Sequence, residues 1–420
     1  MSADQEPVRT KRVGLFGKLG AGNYGNDGSL EALLAHLRSH HPSVPVDCMA
    51  AGPTVVEERY GIPAVDLSWD RGGPRSGFRL LDRGLTALRV GMGVAIDAWR
   101  IACWTRQHSV AIVPGMGTFE STMQVRPWQT PWSLFALAMS ARAFGTSLAV
   151  VSVGASNPPD PLTRILLGRA LRLASHRSFR DEPSRAAASE MGVDTSHDVV
   201  LPDLAFALST PPRSGRASGS VGVGVIAGYG AESERAGAEA INVRYRAALQ
   251  DFLGRVVDSG RSVRLLVGDD IDVPVAMDMR DAVLAERPWL AADAIVFDPV
   301  STLGEYMSQV VDLDAVVASR FHNVLCALMC GVPTIAVGYG DKHRILMKRF
   351  GVSRFSHEIR SLDVDDLERS LDGLLAEGDR LSPELLDLAA EQRQALVDRL
   401  STVDDLISSA RSRTMRPVAT

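Results

Sequence analysis

Residues 314–342 read DAVVASRFHNVLCALMCGVPTIAVGYGDK, and this stretch decides the fold. A short apolar run, Asp314–Ser319, predicts a strand. Arg320 and His322 stand where that strand gives way to an apolar helix running to Gly331, and Pro333–Val337 predicts a second strand. A glycine-rich turn bearing Lys342 follows. Strand–helix–strand in so few residues is the unit of a parallel sheet, whose carboxyl edge is where ligands bind. The free N–H groups of a helix starting at that edge favour anions. Arg320 adds a planar fork suited to carboxylate or phosphate, and His322 adds a group that moves protons near neutral pH. Arg320 and His322 are therefore the candidate catalytic residues.

The same alternation extends in both directions. Upstream, Val13–Phe16, Val110–Val113, Leu148–Val153 and Arg177–Phe179 read as strands, with helices at Ser29–His40, Phe135–Phe144 and Leu162–Ala174. The segment STPPRSGRASGS, residues 209–220, has linker composition. Alternation then restarts at Val221–Ile226, followed by a long helix Glu232–Val257, and continues to about residue 361. Helical patterns close the chain, at Asp366–Glu377 and from Pro383 to about Ala410. The expected class is α/β, with two Rossmann-like domains at 12–208 and 221–361, a linker at 209–220, and C-terminal helices over 362–410.

With 420 residues, 45% hydrophobic and 23% charged, the chain has material for two cores. The net charge of −5 and the lack of a basic tail argue against nucleic acid as a partner. Four sparse cysteines suit a reducing compartment. Cys326 and Cys330 share a helical face, but no cluster completes a metal site, so no metal is expected. No run reaches the ~18–20 apolar residues of a membrane span, and the N-terminus lacks the core of a signal peptide. These readings together predict a cytoplasmic protein. Residues 78–104, FRLLDRGLTALRVGMGVAIDAWRIACW, are apolar with scattered arginines. They read either as a helical insertion packed on the first domain or as a helix on a membrane surface.

The turn GKLGAGNYGNDG, Gly17–Gly28, lies between a strand and a helix and suits an anion or a sugar hydroxyl close to bare backbone. Its spacing fits neither the dinucleotide fingerprint nor the P-loop. Asp203 in LPDLAF reads first as a turn residue and second as a group of the cleft. Trp128 and Trp132 in RPWQTPW read as sugar-stacking or as packing groups.

Five segments, in order, resemble the polysaccharide pyruvyl transferases: GNYGNDGSLEALL, VPGMGTF, SFRDEPSRAAASEMGV, LPDLAFALS and ASRFHNVLCALMCGVPTIAVGYGDKHRILMKRFGV. They span most of residues 12–355, and Phe321 stands where the family more usually has leucine between arginine and histidine. The resemblance implies a fold similar to GT-B glycosyltransferases, with a cleft between the domains. It implies phosphoenolpyruvate as donor substrate without a cofactor, and a pyruvate ketal on a sugar, polysaccharide or lipid-linked glycan as product. Carried over, Arg180, Arg320, His322 and Lys342 would handle the donor, while Asn23, Asp27, Gly115 and Gly117 would line the substrate cleft. The rival readings are a nucleotide-sugar glycosyltransferase and a carbohydrate-binding protein without catalysis.

Overall fold

A computed structural model describes residues 12–69, 79–120, 126–215, 218–228, 235–291 and 293–414. Parts of the sequence reading lie outside them: the chain ends, the start of the 78–104 segment, part of the linker, and the expected start of the long helix at Glu232.

Two wholly parallel sheets organise the chain. The first contains β1 (Arg12–Gly17), β2 (Val46–Ala50), β3 (Ala64–Asp66), β4 (His108–Val113), β5 (Ser147–Val153), β6 (His176–Phe179) and β7 (Val199–Val200). Its strand order is β3-β2-β1-β4-β5-β6-β7. The second contains β8 (Ser220–Gly224), β9 (Ser262–Leu266), β10 (Ile295–Val296), β11 (Ala315–Ala318), β12 (Thr334–Gly338) and β13 (Ser356–Glu358), in the order β10-β9-β8-β11-β12-β13. Every residue of β4, β5 and β12 is buried. Strands buried along their whole length require cover on both faces.

The crossover helices of the first sheet are α1 (Tyr24–His40), α2 (Pro53–Tyr60), α3 (Arg79–Thr105), α4 (Thr130–Phe144), α5 (Pro161–Leu173) and α6 (Glu182–Glu190). Those of the second are α7 (Arg235–Asp258), α8 (Val273–Glu286), α9 (Leu303–Val310), α10 (Phe321–Met329) and α11 (Asp341–Arg349). The C-terminal α12 (Val364–Ala376) packs on α7. The long α13 (Gly378–Thr414) crosses back to lie against β4 and β5 of the first sheet.

Strand order reverses between β1 and β4 in one sheet and between β8 and β11 in the other. Crevices at such switch points are where open α/β sheets bind ligands. The two edges meet here. The Tyr24 amide donates to the Gly268 carbonyl (3.2 Å), and the Asp270 amide donates to Gly22 (3.1 Å). The Asn23 side chain donates to Asp269 (2.9 Å), and the Tyr24 hydroxyl donates to Asp270 (2.9 Å).

One expectation needs correction. The glycine-rich turn ends at Asn23, not Gly28, because Asn23 caps α1 by accepting from the Asn26 amide. Gly25 and Gly28 lie inside the helix, where a Cβ would come within 1.9 Å of His322 Nδ1 and 2.3 Å of Leu303. Close approach of the second half, rather than a turn, accounts for these two glycines.

Candidate active site

Three loops of the first sheet and two helix starts of the second build one buried cluster. The loop after β4 carries Glu120, the end of β6 carries Arg180, and the turn after β7 carries Asp203. From the other side, the first turns of α10 and α11 bring Phe321, His322 and Lys342. Neither helix has a side chain capping its N-terminus, so both leave free amides at this edge.

Glu120 bridges the halves. It accepts a short hydrogen bond from Arg180 Nη2 and another from Lys342 Nζ at 3.3 Å. Burial alone would raise the Glu120 carboxyl, but Lys342 and Arg180 more than offset it and hold it at about 2. Burial likewise opposes the charge of Lys342, and Glu120 restores it, leaving the ammonium above its usual range. The Arg180 guanidinium lies 4.8 Å over the Phe321 ring. Lys342 sits 5.8 Å from the same ring and 5.4 Å from Tyr339. The aromatic faces orient both cations.

Asp203 has two tasks. One oxygen accepts from the Ala205 amide (3.0 Å) and fixes the turn, as its sequence context predicts. The other lies 3.6 Å from His322 Nε2 and 3.7 Å from Arg180 Nη1. Burial pushes this carboxyl up, but His322 and Arg180 outweigh it and hold it below its ordinary range. Asp203 Oδ2, His322 Nε2 and Arg180 Nε are all buried without a hydrogen-bond partner. Such orphaned groups are rare in a finished core. A small cavity of about 20 Å³ is lined by Arg180, Asp181, Asp203, Phe321, Lys342 and Arg349, among others. It has room for about one water.

Arg320 lies apart from this cluster. Its fork is taken by the buried Asp272, with bonds of 2.8 and 2.7 Å, and its third nitrogen lies 3.7 Å from Asp269. The sequence reading grouped Arg320 with His322 as the candidate catalytic residues. Their side chains diverge because the cap residue of α10 turns toward Asp269 and Asp272, between β9 and α8, while the first helical turn faces Asp203. Asp27 is also turned inward, accepting from the Gly20 amide (2.7 Å) with Arg59 3.7 Å away. Asn23 lies on the Asp269 side. Gly115 and Gly117 are backbone approaches: a Cβ on Gly115 would lie 2.9 Å from the Ser152 carbonyl, and one on Gly117 3.0 Å from the Glu120 carboxyl. Trp132 donates to the Val94 carbonyl of α3 (3.0 Å). Sequence reasoning missed Glu120 and Arg349. The only signal for Glu120 was its place at the end of the quoted PGMGTF segment.

Two parallel α/β sheets meeting at their carboxyl edges, with a helical C-terminus, define the GT-B architecture. The chain belongs to the polysaccharide pyruvyl transferase family, whose model matches residues 23–341. No curated protein sequence matches it. Similar solved structures include the UDP-GlcNAc 2-epimerase of Methanocaldococcus jannaschii, at 11% identity and TM-score 0.54, covering 87% of this chain and 92% of that one. The UDP-GlcNAc 2-epimerase of Neisseria meningitidis, bound to UDP-GlcNAc, is 8% identical with TM-score 0.55, covering 95% and 100%. The glycosyltransferase SnogD of Streptomyces nogalater is 17% identical with TM-score 0.51, covering 95% and 100%. At these identities the likeness concerns the fold alone.

Proposed function

We propose that the protein transfers the pyruvyl group of phosphoenolpyruvate to a sugar of a polysaccharide or lipid-linked glycan, releasing phosphate and leaving a ketal. One observation carries this reading: two buried cations from opposite halves, Arg180 and Lys342, already hold a carboxylate, that of Glu120. Phosphoenolpyruvate presents a carboxylate and a phosphate, which two cations and two uncapped helix starts suit. Glu120 acts as the internal anion that the donor displaces as the halves separate to admit it.

The chemistry then balances as follows. A proton adds to the methylene carbon of the donor, so that positive charge develops at the carbon bearing the phosphate. One acceptor hydroxyl attacks that carbon, phosphate leaves with its bonding pair, and a second hydroxyl closes the ketal. Of the two hydroxyl protons lost, one replaces the proton given to the methyl group and the other leaves on phosphate. His322, oriented by Asp203, moves these protons, and Arg180 and Lys342 neutralise the departing phosphate. Arg320 acts indirectly, holding the start of α10 in place through Asp272.

Binding tests this reading. Phosphoenolpyruvate should raise the melting temperature, because it would bind only the folded chain, and UDP should not. Stabilisation by UDP with none by phosphoenolpyruvate would favour nucleotide-sugar transfer instead.

A further inference from the structure

The helices α3, α4 and α5 form one layer on the first sheet, and their outward surface has an unusual composition. On α3, the large apolar side chains Leu88, Met92 and Trp99 are 60, 48 and 68% exposed, with exposed Ala95 between them. Their spacing of four, three and four residues puts them on one stripe of the helix. Met139 of α4 and Leu162 and Ile165 of α5 are also exposed. With Phe144 at the end of α4, seven of the fourteen large apolar side chains exposed among the described residues thus lie on three neighbouring helices.

The charge of this region is as one-sided as its hydrophobicity. Residues 79–175 contain ten arginines, no lysine and four acidic residues, a surplus of +6, so the rest of the chain carries −11. Two of the four acidic residues face inward: Asp97 is wholly buried, and Glu120 is held by Arg180 and Lys342. Arg106, Arg126, Arg142, Arg164, Arg169 and Arg172 are exposed. A protein partner of ordinary composition would match the apolar stripe without needing a surplus of arginine. An anionic lipid surface matches both features.

We infer that the α3–α4–α5 face docks on anionic membrane, with Leu88, Met92 and Trp99 entering the headgroup boundary and the arginines meeting lipid phosphates. Trp104, the other tryptophan of α3, takes no part. It is packed against Phe16 and His108 and donates to Asp47 (2.9 Å). No helix among the described residues is long and apolar enough to cross a membrane, so the contact is peripheral. The same layer joins β4, β5 and β6, and the loops that follow β4 and β6 carry Glu120 and Arg180. Docking would therefore set the candidate site beside the lipid surface. The inference does not depend on the donor.

Flotation with vesicles of phosphatidylcholine, with and without phosphatidylglycerol, tests it on the full chain. The expected result is binding only with phosphatidylglycerol, weakening as salt is added. A variant with Leu88→Ser, Met92→Ser and Trp99→Ser should lose binding while keeping the wild-type circular dichroism spectrum. Because Arg164→Glu with Arg169→Glu leaves the apolar stripe intact, its failure to bind would separately support the charge contribution. Absence of flotation by the wild-type chain would overturn the inference. So would a wild-type dimer that the triple serine variant converts to monomer, since that would make the face a self-association surface.

Discussion

At the residue scale, the site turns on a few charges whose partners are known. His322→Ala should slow turnover by about 10²–10⁴-fold while leaving the KM for phosphoenolpyruvate nearly unchanged, which steady-state kinetics would read directly. Near wild-type turnover would remove His322 from the proton path. Glu120→Gln should lower the melting temperature at neutral pH, because two buried cations lose their counter-charge. It should also enlarge the stabilisation by phosphoenolpyruvate, since the donor no longer competes with an internal carboxylate. The pH dependence has a definite sign. The Glu120 carboxyl is depressed in the folded chain from 4.5 to about 2, so its contribution is full above pH 4.5 and disappears as pH falls toward 2. Wild type should lose stability more steeply than Glu120→Gln across that window in melts taken at successive pH values. Equal slopes would mean that Glu120 is not held by its cations. Arg320 is the residue whose sequence reading changes most. With its fork on buried Asp272, Arg320→Met should cost about 3–5 kcal/mol of stability by stranding that carboxylate. A raised KM for donor with an unchanged denaturation midpoint would return Arg320 to the donor clamp.

At the element scale, the sequence reveals what local pattern controls and hides what contact controls. The alternation of apolar runs is enough to find β1, β4, β5, β6 and most of the second sheet, because strands covered on both faces must be apolar throughout. The short strands β3, β7 and β13, and the helix α11, carry little such signal. Lys342 therefore reads as a turn residue when it stands in the first turn of a helix. The glycines of α1 mislead for the same reason. Gly25 is required by the His322 ring packed against it, a contact between residues almost three hundred positions apart that no local pattern records. Gly25→Ala should displace His322 and reduce turnover at least about tenfold. Combined with His322→Ala it should add little further loss, because both changes act on one group. Fully additive losses would show that Gly25 serves something other than the histidine.

At the scale of the whole molecule, two sheets face each other across a cluster to which neither contributes a complete set of groups. The order of motifs in the sequence implies this architecture through its resemblance to a family, but it does not say which side chains meet. His322 is legible because it opens a helix after a strand, whereas Arg180 and Lys342 are legible only through the motifs that resemble the family. Glu120 escapes because its charge matters only once a second loop comes within reach. The cavity between the halves has room for about one water, so the proposed reaction requires the halves to part before donor and acceptor enter. Removing the clasp with Asn23→Ala and Tyr24→Phe should lower the melting temperature of the free chain and increase its radius of gyration in solution scattering. Unchanged scattering would place the opening elsewhere. The most direct measurement is phosphate release from phosphoenolpyruvate in the presence of candidate glycans, with the pyruvate content of the glycan read in parallel. The expected result is acceptor-dependent release, one phosphate for each pyruvyl group gained. Release of a nucleoside diphosphate from a sugar donor, with phosphoenolpyruvate left intact, would contradict it.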